Sequence, residues 1–298
     1  MRLDPFPFAD ARPMLLRQEA FEMPDDTPTE KTFDTGELSI NYGELPGPGR
    51  PLVMLHGMTA DWLGFRDLMS RLSGRWHPYA CDLRGHGKSG RSEGRYALPD
   101  YERDAISFLE EVSGPAILLG HSLGALTALL CAAHRPELAL GLILLDPPVY
   151  VRNAPLETHP GVKDWFGWVY ETMESRPGFE RVVEACRLRE PDEDEKALHI
   201  MALRVSRVDP GTVRAALRNE MGNGADMDRA LTSLRCPTLI LRGEWRCGAC
   251  VRDEDAAWMH SLSPAASIVQ LPGGNHGFLW EKADQTQRLI EDFLVTLA

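Results

Sequence analysis

The chain has 298 residues, of which 43% are hydrophobic, and a formal net charge of −12. This length accommodates one large α/β domain with an insertion or two domains, and the acidic balance disfavours nucleic acid and anionic membrane surfaces as partners. The N-terminus lacks the pattern of a secretory signal, and no stretch approaches the roughly 18 apolar residues of a spanning helix. We therefore predict a cytoplasmic protein that does not bind membranes.

The first half of the chain alternates between predicted strands and helices. Residues 1–30 have no clear period and are predicted to form an irregular arm, and segments 31–34 and 38–42 are typical of a hairpin. Later strands are predicted at 51–55, 76–81, 115–119 and 141–146, with helices at 62–72, 99–112 and 125–133. This alternation predicts a parallel sheet with its functional residues at the C-terminal edge of the strands.

The alternation stops after residue 146. From 147 to about 231 the periodicity is helical, and an aromatic cluster stands at Trp165, Phe166, Trp168 and Tyr170. Strand character resumes at 237–241 and 267–271, and an amphipathic helix ends the chain. We predict an all-helical cap over the sheet edge, whose aromatic side chains either shape a pocket or hold the cap on the core.

One short motif joins a predicted strand to a predicted helix. Gly120-His121-Ser122-Leu123-Gly124 has the G-x-S-x-G pattern, in which glycines relieve crowding at an abrupt strand-to-helix turn. The serine then projects outward near the N-terminal end of the helix. Ser122 is therefore the candidate nucleophile, and the alternative is an ordinary tight turn.

The six cysteines are scattered and do not resemble a disulfide framework. Cys247 and Cys250 alone have C-x-x-C spacing, which is found in redox pairs and in zinc sites. A structural zinc site needs two more ligands at matching spacing, and the sequence offers no such pair. We interpret these two cysteines as incidental loop residues and predict neither a metal nor an organic cofactor.

Four motifs together resemble the α/β-hydrolase superfamily from about residue 35 to the C-terminus. They are His56-Gly57, the loop from Asp82 to Ser89 (DLRGHGKS), the Ser122 motif and Gly274-Asn275-His276-Gly277. The resemblance implies an eight-stranded, mostly parallel sheet, with the core at 1–146 and 231–298 and the cap at 147–230. It also implies a nucleophile at Ser122 and an oxyanion hole formed by the backbone N–H groups of Met58 and Leu123.

His276 is the candidate general base, because it lies late in the chain in a glycine-bounded loop after a strand. His56 and His86 are interpreted as structural residues that fix the backbone, and His121 is expected to point away from the nucleophile. We expect Gly57, Trp62, Trp165 and Trp168 to line the substrate pocket.

The acid of the triad departs from the usual pattern. Many members of the superfamily carry an aspartate three residues after the glycine that follows the penultimate strand, and here the position counted from Gly243 is Arg246. An arginine does not stabilise an imidazolium. Asp146, at the end of the strand after the nucleophile helix, is the favoured replacement because strand ends hold side chains rigidly. Asp253 and Glu244 are the alternatives.

These residues predict a serine hydrolase that cleaves a small-molecule ester or lactone through an acyl-enzyme. If Asp146 is the acid, the resemblance is to the lactonase-type members. Cofactor-free perhydrolase (haloperoxidase-like) activity and hydrolysis of carbon–carbon bonds are alternatives, since the same triad supports them. A non-catalytic ligand-binding protein on the same fold is a further alternative, which only the missing acid at Arg246 supports.

Overall fold

The computed structural model describes residues 27–152, 156 and 159–297. The predicted N-terminal arm therefore lies almost entirely outside the described residues, and the first described strand begins at Thr29. Among the described helices, none is long and apolar enough to span a bilayer.

A single eight-stranded sheet organises the molecule, with the strand order β1-β2-β4-β3-β5-β6-β7-β8. Strands β1 and β2 form the predicted hairpin, β2 pairs antiparallel with β4, and every later pairing is parallel. The predicted fold class is thus confirmed. The strands are Thr29–Asp34, Ser39–Glu44, Pro51–Leu55, His77–Cys81, Ala116–His121, Ala139–Leu145, Thr238–Arg242 and Ser267–Gln270.

The central strands are continuous apolar runs because helices cover both faces of the sheet. One face packs against α2, α3, α8 and α9, and the other against α1, α10 and α11. These helices are α1 Arg66–Leu72, α2 Leu98–Phe108, α3 Leu123–His134, α8 Met227–Thr232, α9 Asp253–Leu262, α10 Phe278–Glu281 and α11 Ala283–Val295. The core therefore has two apolar layers, one on each side of the sheet.

Between β6 and β7 the described residues contain helices but no strand. We call α4 to α7 the helical insertion: Pro160–Met173, Phe179–Arg189, Glu195–Ser206 and Pro210–Leu217. Its contacts with the core fall on loops that follow β3 and β4, for example the bond from Asp209 N to Gly85 O at 2.7 Å. The predicted boundary at residue 230 lies inside α8, which packs against α3 and α9.

Candidate active site

The chain turns sharply at Ser122, between the last residue of β5 and the first of α3. Ser122 has φ 54° and ψ −117°, a conformation that costs a non-glycine residue about 1–3 kcal/mol. A Cβ on Gly120 would lie 2.2 Å from Gly124 O, and one on Gly124 would lie 2.0 Å from Leu55 O. Both flanking glycines are thus needed for the close approach of strand and helix.

The loop after β3 packs directly against Ser122. A Cβ on Gly57 would lie 3.0 Å from the Ser122 Cβ, and Gly124 N donates to His56 O at 3.0 Å. Among the described residues, neither the Met58 N–H nor the Leu123 N–H donates a hydrogen bond. Two backbone donors beside the serine are therefore available to an oxyanion.

His276 and Asp146 meet at the same sheet edge. His276 Nδ1 lies 2.7 Å from Asp146 Oδ2, and the Asp146 side chain is fully buried at the end of β6. Asp146 has φ 46°, and its N–H donates to Leu241 O of β7 at 2.8 Å. An ionised Asp146 accepts the Nδ1 proton, which leaves the His276 Nε2 lone pair free to take a proton.

The other two candidate acids lie elsewhere. The Asp253 side chain is 89% exposed and pairs with Arg242 Nη1 at 2.7 Å. Glu244 accepts from Gly273 N at 2.9 Å and pairs with Arg246. Of the three carboxylates that the sequence left open, the structure brings Asp146 to His276.

The loop after β7 holds Asp146 through its backbone. Cys250 N donates to Asp146 Oδ2 at 2.7 Å and Val251 N to Oδ1 at 3.4 Å. The Cys250 sulfur lies in the same cluster as the Asp146 carboxylate and the His276 ring. Cys250, interpreted from the sequence as an incidental loop residue, thus lies beside the candidate acid and base. The C-x-x-C spacing drew attention to it, but no local pattern places it beside Asp146.

Burial and two neighbouring groups set the pKa of His276. Burial lowers it, but the Cys250 sulfur and the Asp146 carboxylate raise it, and the net pKa lies well above the ordinary 6.5. Burial also raises the pKa of the Cys250 thiol. A neutral thiol attracts an imidazolium weakly, so we attribute the raised pKa of His276 to Asp146. This carboxylate stabilises the cation that forms when His276 takes a proton.

The neighbouring histidines are held neutral. Burial lowers the pKa of His56 to about 4 and that of His121 and His86 to about 3. His56 Nε2 accepts from Leu83 N at 3.0 Å, so this ring fixes the backbone as predicted. His121 Nε2 lies 2.9 Å from His276 O, and the two rings are 4.7 Å apart. His121 therefore supports the loop that carries His276.

The candidate nucleophile and the candidate base are not hydrogen-bonded to each other among the described residues. Within the described part of the chain, no hydrogen bond joins the Ser122 hydroxyl to the His276 ring. Catalytic hydrogen bonds often tighten only when substrate binds.

The expected pocket residues differ in position. Trp62 is 6% exposed, packs in the core layer with α1 and α11, and donates Nε1–H to Glu30 Oε1 at 3.1 Å. Its position does not fit a pocket role. Trp165 donates to Thr59 Oγ1 at 3.1 Å, and Arg189 lies over both Trp165 and Trp168. Trp165 therefore connects the insertion to the loop that carries Met58. Trp168 lies next to Trp165, with ring centroids 5.1 Å apart.

A cation of the insertion lies near the same loop. Arg204, on α6, is half-buried, and burial lowers its pKa while Asp61 opposes that shift. Its positive charge contributes to lowering the pKa of His56, at the start of the loop. Among the described residues the Arg204 guanidinium makes no hydrogen bond, which leaves its donors available.

Comparison with known proteins agrees with this architecture. A model of the alpha/beta hydrolase family matches residues 52–289. A 2-(acetamidomethylene)succinate hydrolase of Mesorhizobium japonicum is 28% identical over 283 residues, which cover 92% of this chain and 98% of that protein. A pimeloyl-acyl-carrier-protein methyl ester esterase of Xanthomonas axonopodis pv. citri is 27% identical, with 85% and 98% covered. The crystal structure of an E-2-(acetamidomethylene)succinate hydrolase superimposes with a TM-score of 0.67 at 26% identity, with 90% and 99% covered.

Proposed function

Because the chain belongs to the alpha/beta hydrolase family, we propose that it is a serine hydrolase that cleaves a carboxylic ester or a lactone through an acyl-enzyme on Ser122. The observation that carries this proposal is the 2.7 Å contact between His276 Nδ1 and the buried Asp146 carboxylate, beside a strained serine. The helical insertion acts as a cap, since Trp165 bonds to Thr59 of the loop that carries Met58 and Arg204 interacts electrostatically with Asp61 of the same loop.

Acylation follows from these positions. Ser122 Oγ attacks the carbonyl carbon, and its proton passes to His276 Nε2. The N–H groups of Met58 and Leu123 bind the oxyanion of the tetrahedral intermediate. His276 then protonates the leaving alcohol as the carbon–oxygen bond breaks. In deacylation, water attacks the acyl carbon as it gives a proton to His276. The bond to Ser122 Oγ then breaks, His276 returns the proton to that oxygen, and the acid is released.

A family-wide serine probe tests the nucleophile. A fluorophosphonate should add once, at Ser122, and Ser122→Ala should give no adduct and no hydrolysis of p-nitrophenyl esters or lactones. Peptide mass mapping locates the adduct, and Ser261→Ala on the exposed face of α9 is the matched control. Retained hydrolysis in Ser122→Ala would contradict the mechanism, and a chain inert to the probe would indicate the ligand-binding alternative.

A second candidate function is hydrolysis of the amide bond of an N-acyl substrate that bears a carboxylate. The name of the Mesorhizobium relative gives a succinate, a dicarboxylate, as its substrate. The Arg204 guanidinium, half-buried near His56 and without a hydrogen-bond acceptor among the described residues, is suited to bind such a group.

A charge-matched pair of substrates tests this candidate. We expect Arg204→Met to lower kcat/KM by about 10–100-fold more for a carboxylate-bearing N-acyl substrate than for its neutral amide isostere, and Arg204→Lys to recover part of the difference. Equal losses on both substrates would assign Arg204 to the packing of α6. Cleavage of esters alone would leave the first proposal standing, and turnover of a β-diketone instead would indicate carbon–carbon bond hydrolysis.

A further inference from the structure

Three different ligand atoms meet behind the candidate base. A carboxylate oxygen of Asp146, the sulfur of Cys250 and a ring nitrogen of His276 all lie within 4.8 Å of one another. Asp146 and Cys250 are buried, whereas 24% of the His276 side chain is exposed. The cluster is therefore enclosed by protein except at the His276 ring, part of which is exposed.

The backbone fixes the geometry of this cluster. Cys250 N is bonded to the same Asp146 oxygen that contacts His276 Nδ1, at 2.7 Å in each case. The backbone O of His276 lies 2.9 Å from His121 Nε2, which holds the imidazole loop from the other side. Because each ligand residue is held by a backbone contact, little rearrangement is needed to bring the three atoms around one ion.

The donor set selects the kind of cation. Thiolate sulfur and imidazole nitrogen suit Zn²⁺ and other thiophilic ions, whereas Mg²⁺ and Ca²⁺ prefer oxygen ligands alone. Three protein ligands leave the fourth tetrahedral position of Zn²⁺ for water. The cluster of Asp146, Cys250 and His276 thus matches a three-ligand zinc site with an open position.

We propose that Asp146, Cys250 and His276 form an inhibitory site for Zn²⁺ or a similar thiophilic divalent cation. The Cys250 thiol releases its proton to solvent as the sulfur–metal bond forms. As the metal binds His276 Nδ1, the ring proton that this nitrogen carried moves to Nε2. An Nε2–H has no lone pair for the Ser122 proton, so the metal-bound form is inactive. The inhibition rests on the proposed function, but the binding does not.

Cobalt gives a binding readout that does not need activity. Co²⁺ added to the reduced protein should produce a thiolate-to-cobalt charge-transfer band that Zn²⁺ abolishes. The band should persist in Cys247→Ser, a matched control whose sulfur lies by Glu244 instead, and be lost in Cys250→Ser. A wild-type protein without the band, or a band that survives in Cys250→Ser, would overturn the proposal.

Inhibition is measured separately on the proposed reaction. Zn²⁺ should abolish ester hydrolysis, and a chelator should restore it. Since the loss of even an outer-shell partner costs about 10–100-fold in metal affinity, Cys250→Ser should need at least about tenfold more Zn²⁺ for half-inhibition, relative to its own metal-free rate. Equal inhibition in Cys250→Ser and Cys247→Ser would place the inhibitory ion elsewhere and overturn the proposal.

One outcome separates this proposal from the proposed function. A cobalt band that depends on Cys250, in a protein that hydrolyses no ester or lactone, would establish the metal site and reject the proposed reaction. If neither Cys250→Ser nor Cys250→Ala folds, alkylation of the wild-type protein decides. Zn²⁺ should then protect Cys250 from iodoacetamide and leave Cys247 reactive, and equal labelling with and without Zn²⁺ would overturn the site.

Discussion

Two polar clusters at the same sheet edge differ in how far their polar groups are hydrogen-bonded within the protein. In the Asp82–Ser89 loop, which follows β4, the Asp82 carboxylate accepts from Trp62 N, Asn41 Nδ2 and Lys88 N. The fully buried Arg84 guanidinium pairs twice with Asp104, at 2.6 and 2.7 Å. The Asp82 and Arg84 side chains thus bond within the protein, as buried polar groups in a folded core normally do, whereas His86 Nε2 of the same loop has no partner among the described residues.

The cluster around Ser122 leaves several groups open. Among the described residues, the N–H groups of Met58 and Leu123 have no acceptor, and no hydrogen bond joins the Ser122 hydroxyl to His276. Ser122 and Asp146 also have positive φ values of 54° and 46°. The Asp82 and Arg84 side chains support the fold and are bonded within the protein, whereas the groups suited to chemistry keep their capacity for a substrate.

The largest effect should follow from loss of the carboxylate behind the base. We expect Asp146→Asn to lower kcat about 10⁴-fold, because the amide no longer stabilises the imidazolium of His276. The rate should rise with pH as His276 loses its proton. In the native protein the midpoint of this rise should lie above the ordinary imidazole pKa. In Asp146→Asn this midpoint should move to lower pH, because the group that raises the pKa of His276 is gone.

The control for that comparison is Asp253→Asn, which removes an exposed carboxylate at the first residue of α9. Its pH profile for kcat/KM should match that of the native protein. A loss confined to Asp253→Asn would transfer the acid role away from Asp146.

A smaller effect, on stability, should follow from removing the buried cation that pairs with Asp104. Arg84→Met leaves the buried Asp104 carboxylate without its cation, which typically destabilises a fold by about 3–5 kcal/mol. Urea unfolding measures the loss, and kcat per folded molecule should persist because Arg84 does not touch the site. Arg103→Met, which removes a half-exposed arginine of the same helix as Asp104, should shift the midpoint far less. Equal shifts would contradict the contrast.

The smallest effect concerns the strain at Ser122. Both Ser122→Gly and Ser122→Ala lose the hydroxyl, but only glycine adopts φ 54° without strain, so the glycine variant should be more stable by about 1 kcal/mol. In the middle of α1 the order should reverse, with Ser70→Gly less stable than Ser70→Ala. If Ser122→Gly were less stable than Ser122→Ala, the turn at Ser122 would not be strained.

The sheet and the nucleophile could be predicted because their signals are local. Strands buried on both faces are continuous apolar runs, and β3 and β6 stand within two residues of their predicted limits. The Ser122 motif includes the two glycines that its turn requires, so its geometry follows from five consecutive residues.

The acid and its neighbours depend on contacts distant in sequence. The bond between Asp146 and His276 joins residues 130 apart, and the bond from Cys250 N to Asp146 joins residues 104 apart. The loop after β7 turns back through Gly248, whose φ is 90°, and no periodicity encodes where Cys250 then points. The Trp62 error has a similar origin, because a 3-10 turn over Trp62–Phe65 directs the ring to the core.

The helical insertion leaves the sheet after β6 and returns to it at β7, and these two strands are direct neighbours. Asp146 N bonds to Leu241 O where they meet, so the entry and exit of the insertion are joined beneath it. Lengthening such an excursion costs little, since the closure penalty grows only with the logarithm of length. The insertion can therefore be exchanged or lengthened without displacing the residues at the sheet edge. Changes confined to this segment should alter substrate preference more than the reaction type.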